Sequence, residues 1–145
     1  MLEFTALPAP LVVNPENSVS EMVDEPGGFP CRRCLEDGRL GEDMLLVPYD
    51  PFLAGSPYTG SGPIFVHRKD CMRYQCDGSV PDQQRRRLLS VRAYDANQMM
   101  TGAMVVEGKD LAERAELLFA DAKVDYLHVH YAGPGCFAGE TEMVL

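Results

Sequence analysis

The chain has 145 residues, and its 22 acidic against 13 basic side chains leave a formal net charge of −9. That length suits one domain able to bury a core without staples, and 46% hydrophobic against 24% charged residues excludes wholesale disorder. The acidic balance argues against a nucleic-acid binder and against a partner of anionic membrane, since both need a cationic face.

Taken in chain order, the sequence predicts short strands around one solid helix. Phe4–Leu7 reads as an edge strand that Pro8 ends. Asn14 can cap a short helix with Pro15 at its first position, and Val19, Met22 and Val23 would form its apolar stripe. Residues 1–30 hold five acids and no base, and the turn-rich connector 24–30 (DEPGGFP) closes this acidic N-terminal part. Met44–Tyr49 is a continuous apolar run, as in a strand buried on both faces, and Ile64–His67 is a second short strand. Ser79-Val80-Pro81-Asp82 fits a capping box before one or two helical turns.

Leu88–Tyr94 alternates, with Leu89, Val91 and Ala93 on one face, and Met100–Val106 can pair with it through the turn Asp95–Gln98. Leu111–Ala120 is the clearest helix: Asp110 caps it, Glu113 closes the box, and Leu111, Ala115, Leu118 and Phe119 form its buried stripe. Val124–Tyr131 and Gly139–Leu145 read as closing strands. The expected architecture is a single α+β domain over residues 1–145. It has a mixed, mainly antiparallel sheet with one main helix, about residues 110–120, packed on one face. Seven bases against three acids give residues 67–92 a local charge of +4. This block is either a solvated face pairing with the acidic segments or a local anion or partner site.

The start of the sequence, Met1-Leu2-Glu3-Phe4, shows no basic stretch ahead of an apolar one, and no apolar run reaches ~18 residues. A cytoplasmic protein is therefore expected. Five cysteines, an odd count, then fit reduced thiols, leaving metal binding, thiol chemistry or plain burial as their uses.

Two constellations carry chemistry. In the first, Cys31-x-x-Cys34 has the spacing of a zinc knuckle, and His67-x-x-x-Cys71 would put two more ligands on one face of a helical turn. A Cys3His set would be a closed structural site for one zinc ion, with no open position for catalysis. The alternative is four unmetallated residues. A thioredoxin-type pair does not fit, because Cys34 is followed by the turn Leu35-Glu36-Asp37-Gly38 rather than a helix. Pro30-Cys31-Arg32-Arg33-Cys34 also matches half of the zinc deaminase signature. Residues 1–30 contain no histidine to supply the other half, so that chemistry is excluded.

In the second constellation, strand alternation puts Leu127, Val129 and Tyr131 on a core face and Tyr126, His128 and His130 on the other. The two histidines would project together, roughly 6–7 Å apart. The turn Gly133-Pro134-Gly135-Cys136 can return Cys136 to them, so that both histidines and the thiol would line one concavity. His128, His130 and Cys136 are thus candidate catalytic residues, as a metal-assisted or thiol-based set. The alternative is histidines on a solvated sheet face and a packed cysteine. Arg32, Tyr58 and Arg92 are candidate ligand-binding residues: Arg32 as an anion-binding group, Tyr58 as a loop aromatic over a pocket, and Arg92 as an anion contact or one half of a surface ion pair.

Several strings then resemble one family in their order: Gly28-Phe29-Pro30-Cys31-Arg32, Met44-Leu45-Leu46-Val47-Pro48-Tyr49, Ser56-Pro57-Tyr58 with Gly62-Pro63-Ile64-Phe65-Val66, Arg92-Ala93-Tyr94-Asp95, and Tyr126-Leu127-His128-Val129-His130 with Gly135-Cys136-Phe137. The chain resembles the bacterial domain of unknown function 1203 family from about Phe4 onward. The resemblance implies one domain over nearly the whole chain and a bacterial, cytosolic setting. It also directs attention to Pro30-Cys31-Arg32 and to the segment from His128 to Cys136. Two functional readings remain. One is a small binding or accessory domain, for an unknown small molecule or protein, clipped by a structural zinc. The other is an enzyme using His128, His130 and Cys136. The first is preferred, because no carboxylate is tied by motif to either histidine and no complete catalytic set is visible.

Overall fold

The structure, a computed structural model, describes residues 1–144. Its elements are strands β1 (Leu2–Thr5), β2 (Val19–Met22), β3 (Asp43–Tyr49) and β4 (Gly62–His67), a short helix α1 (Asp82–Arg85), the hairpin β5 (Leu88–Tyr94) and β6 (Met100–Glu107), the main helix α2 (Leu111–Phe119), and strands β7 (Tyr126–Tyr131) and β8 (Phe137–Met143). The closing strand therefore starts two residues before its expected position, and Leu145 lies outside the described residues.

The strands form two sheets rather than one. A five-stranded sheet runs β1-β8-β7-β5-β6 and a three-stranded sheet runs β2-β3-β4, and every ladder is antiparallel. The physical reason lies at the outer edge of β4. The Cys31–Cys34 turn occupies that edge, with the Arg32 amide donating to the Phe65 carbonyl (2.9 Å), so no strand of the larger sheet can pair there.

Alternation sorts the faces of the larger sheet. Leu89, Val91 and Ala93 of β5 and Leu127, Val129 and Tyr131 of β7 point inward, where Leu111 and Ala115 of α2 cover them. Leu118 and Phe119 are only partly buried. A second core, including Val23, Met44, Val47, Ile64 and Val66, belongs to the three-stranded sheet. Burying such aliphatic side chains contributes roughly 1.5–3 kcal/mol each.

The helix starts differ from expectation. Asp110 makes no side-chain cap, because a 3-10 turn, Gly108–Asp110, leads into α2. Gly108 is required there: a Cβ would overlap the Gln84 carbonyl oxygen of α1. Ser79 bonds Asp77 instead of capping α1. Asn14 does accept from the Glu16 amide, but the helix it caps is one 3-10 turn, Pro15–Asn17. Val19 and Met22 then lie on the exposed strand β2 rather than on a helical stripe.

One irregularity shapes the outer face of the larger sheet. Opposite His130 the ladder of β8 shifts by one residue, so that His130 pairs with Phe137 and not Ala138. Such a bulge re-aims a side chain. Ala138 goes to the inner core, while Phe137 turns onto the histidine face and joins the core of the smaller sheet.

Candidate functional site

The first constellation assembles. The turn after Pro30 is closed by the Cys31 amide donating to Glu36 O and the Leu35 amide donating to Cys31 O (both 3.1 Å). Leu35 takes a left-handed φ of 59° to make it. This folds Cys34 back beside Cys31. The last residue of β4, His67, stands opposite. The ligand atoms of Cys31, Cys34, His67 and Cys71 all lie within 4.8 Å of one another. Cys31 Sγ is 3.7 Å from Cys71 Sγ, and Cys34 Sγ is 3.6 Å from His67 Nδ1. A zinc tetrahedron with Zn–S near 2.3 Å has S···S edges of about 3.8 Å. The S···S distance between Cys31 and Cys71 is of that size and all four ligand atoms converge, so the cluster could hold a metal ion such as zinc.

The surroundings favour an anionic Cys31, whereas the hydrogen bond to Cys31 pushes the Cys34 thiol up and burial pushes the Cys71 thiol up. The amides of Arg33 and His67 both point at Cys31 Sγ (3.4 Å each), and the Arg33 guanidinium reaches Cys71 Sγ at 3.7 Å. Cys31 is held well below the usual thiol range, first by the hydrogen bond from the Cys34 thiol and then by these amides. The other imidazole nitrogen of His67, Nε2, faces Glu42 Oε1 at 3.4 Å. A carboxylate behind a ligating histidine fixes its tautomer and ring angle. Glu42 was not legible as a site residue; only the β3–β4 register, Met44 opposite His67, brings it there.

The expected helical turn from His67 to Cys71 does not form. The Arg68 amide continues the strand ladder to Asp43 O (3.1 Å), and the Tyr74 amide binds Arg33 O (2.8 Å). These bonds hold the segment across the knuckle as a bent, non-helical loop, from which Cys71 reaches the cluster.

The second constellation divides. Arg32, Tyr58, Arg92, His130 and Cys136 line one cleft of about 480 Å³ between the two sheets. His128 does not join them. It is 1% exposed, packed among the rings of Phe52, Tyr94, Tyr126 and Phe137 at 4.8–5.2 Å. Its Nε2 meets Glu140 Oε1 at 3.2 Å on the side of a separate cavity. The expectation that both histidines share one concavity with Cys136 therefore holds for His130 alone. Phe137, turned by the bulge, and Phe52, from the loop after β3, cover His128.

Within the cleft the polar contacts are specific. Arg32 is 1% exposed; it donates from Nε to Phe137 O (2.8 Å), from Nη1 to Pro30 O (2.6 Å) and from Nη2 to Cys136 Sγ (2.8 Å). His130 Nδ1 bonds Gly135 O at 2.9 Å, so the proton sits on Nδ1 and Nε2 faces Arg92 Nη1 at 3.5 Å. Burial, with Arg92, His128 and Arg32 adding to it against the Gly135 bond, pushes His130 down to about 4, which keeps it neutral at pH 7. Among the described residues neither histidine hydrogen-bonds Cys136, and Arg92 has no carboxylate partner.

Fold and site together define an α+β protein of two antiparallel sheets, with a Cys3His ligand cluster at one sheet edge and a cationic cleft between the sheets. The chain belongs to the family described as "Protein of unknown function (DUF1203)", whose profile matches residues 28–142. No curated protein and no solved structure matches it. No helix among the described residues is long and apolar enough to cross a membrane.

Proposed function

We propose that the protein is a small cytoplasmic binding domain whose ligand cleft is held in shape by one structural zinc ion on Cys31, Cys34, His67 and Cys71. The observation that carries the reading is the convergence of the four ligand atoms within 4.8 Å of one another, two of the distances being 3.6 and 3.7 Å. Four protein ligands close the coordination shell, which suits a structural role and leaves no position for a metal-bound water. Five free cysteines fit a reducing compartment.

The two sites are joined through the chain. Arg32 lies between the ligands Cys31 and Cys34, and its side chain leaves on the opposite side to enter the cleft. Zinc on the knuckle would fix the backbone from which Arg32 reaches the Phe137 carbonyl of the other sheet. Its role is then positional: it ties the β4 edge to the loop of Cys71 and aims Arg32.

The test is elemental analysis of protein purified without a metal-affinity column, with thermal melting before and after a strong chelator. The reading expects about one zinc per chain, a melting temperature that falls on chelation, and loss of both the metal and that response in Cys34→Ser. Metal-free protein whose melting temperature is unchanged in Cys34→Ser contradicts it.

A further inference from the structure

The cleft between the sheets holds two guanidinium groups that no carboxylate pairs with among the described residues. The chain has 22 acidic residues, yet none lines this cleft, whereas other cavities on the protein, such as those beside His67 and beside His128, are lined by carboxylates. A buried cation without a counter-ion is costly, and the usual remedies are a paired anion or loss of the charge. Arginine does not take the second route. Arg32 is buried and Arg92 half-buried, so an anion from outside the chain would find two positive charges in the cleft and no competing carboxylate.

The two arginines differ in what they have free. Arg32 is anchored by two carbonyls and the Cys136 sulfur, so it contributes chiefly a fixed positive field. Arg92 makes two long contacts, Nε to Ser90 Oγ at 3.4 Å and Nη1 to His130 Nε2 at 3.5 Å, lies beside the Tyr94 hydroxyl, and has no carboxylate partner among the described residues. A planar guanidinium matches a carboxylate two bonds at a time. His130, neutral with Nε2 unprotonated, leaves the site's charge to the arginines. Much of the remaining wall is apolar or aromatic, including Leu46, Phe65, Phe137 and the loop residue Tyr58. Inorganic anions have no use for such walls, but a ligand with an apolar body does.

We infer that this cleft binds a small organic acid, its carboxylate paired with Arg92 in the field of Arg32 and its apolar body lying against Tyr58, Phe65 and Phe137. The inference rests on the reading of the protein as a binding domain and names the class of ligand. A cleft of about 480 Å³ suits a molecule of one ring or a short aliphatic chain, not a polymer.

The experiment is calorimetric titration of the full chain with benzoate, benzamide, acetate and inorganic phosphate, with zinc measured in each sample. Benzoate is expected to bind at least about tenfold more tightly than benzamide, which lacks the charge, and than acetate, which lacks the ring. Arg92→Gln is expected to weaken benzoate about tenfold or more, and Arg92→Lys less, while both keep the zinc content and melting temperature of the parent. Equal binding of benzoate and benzamide, no benzoate binding at about 10 mM, phosphate bound more tightly than benzoate, or unchanged benzoate affinity in Arg92→Gln each overturns the inference. Protein with one zinc and no benzoate affinity fails this inference alone. Metal-free folded protein that binds benzoate fails the zinc reading alone.

Discussion

The Glu42 carboxylate stands 3.4 Å from Nε2 of His67, across the ring from Nδ1, which is 3.6 Å from Cys34 Sγ. Glu42 is itself fixed, because the Arg39 amide donates to its Oε1 at 2.6 Å and holds its carboxyl below the usual range. The carboxylate thus orients an imidazole whose other nitrogen faces the thiols. Removing its charge while keeping its shape should leave the site formed but weaker. Glu42→Gln is expected to reduce zinc affinity by about tenfold, with one zinc still bound at excess metal. Competition against a chromophoric chelator reads both quantities.

The two arginines of the cleft should separate in a stability measurement. Arg32 satisfies two carbonyls and a thiol from a buried position. Arg32→Met would leave the Pro30 and Phe137 carbonyls without that donor and should cost about 3 kcal/mol. Arg92 is half-buried, its contacts with Ser90 and His130 are long and it pairs with no carboxylate among the described residues, so Arg92→Gln should stay within about 0.5 kcal/mol of the parent. Urea unfolding of the zinc-loaded proteins measures both differences.

Acid should unfold the protein through its histidines. Burial, with Arg92 adding to it, pushes His128 down to about 4, and His130 is also at about 4 for the causes given above. In an unfolded chain both titrate near 6.5, so between about pH 6.5 and 4 the unfolded state binds more protons. Stability contributed by these neutral rings is full above 6.5 and is lost as pH falls through 4, at up to about 1.4 kcal/mol per pH unit for each ring. His130→Gln should flatten part of that slope in urea unfolding followed against pH.

Glu142 has the opposite sign. Burial, a hydrogen bond with Glu140 and repulsion from Glu140, Glu3 and Asp125 push it up to about 7. Its protonated form is favoured by folding, so its contribution is full below the unfolded value near 4.5 and is lost as pH rises through 7. Glu142→Gln should therefore raise the melting temperature at pH 8 and leave it unchanged at pH 4. A rise of equal size at both pH values would show that charge is not the cause.

Local chemistry was legible in the sequence where the pattern was local. The hairpin of β5 and β6 was readable because Leu89, Val91 and Ala93 alternate and Asp95 closes the turn with bonds to the Asn97 and Met99 amides. The Cys31, Cys34, His67 and Cys71 cluster was readable because each pair is close in sequence. What long-range pairing decides was not readable. The split into two sheets follows from the knuckle occupying the edge of β4, a contact between Cys31 and Phe65. Val19 and Met22 have helical spacing, but pairing of Val19 with Leu46 and Met22 with Asp43 makes that segment a strand. His67 and Cys71 have helical spacing too, yet bonds to Asp43 and Arg33 hold their segment as a bent, non-helical loop. His128 and His130 share a face as alternation requires, but a bulge at Ala138 and a loop bearing Phe52 separate their surroundings.

The central claim is that Cys31, Cys34, His67 and Cys71 enclose one zinc ion. X-ray absorption at the zinc edge of protein loaded with one equivalent tests it most directly. The account predicts a four-coordinate shell of three sulfurs at about 2.3 Å and one nitrogen at about 2.0 Å. A shell dominated by nitrogen and oxygen, or one with fewer than three sulfurs, would contradict it.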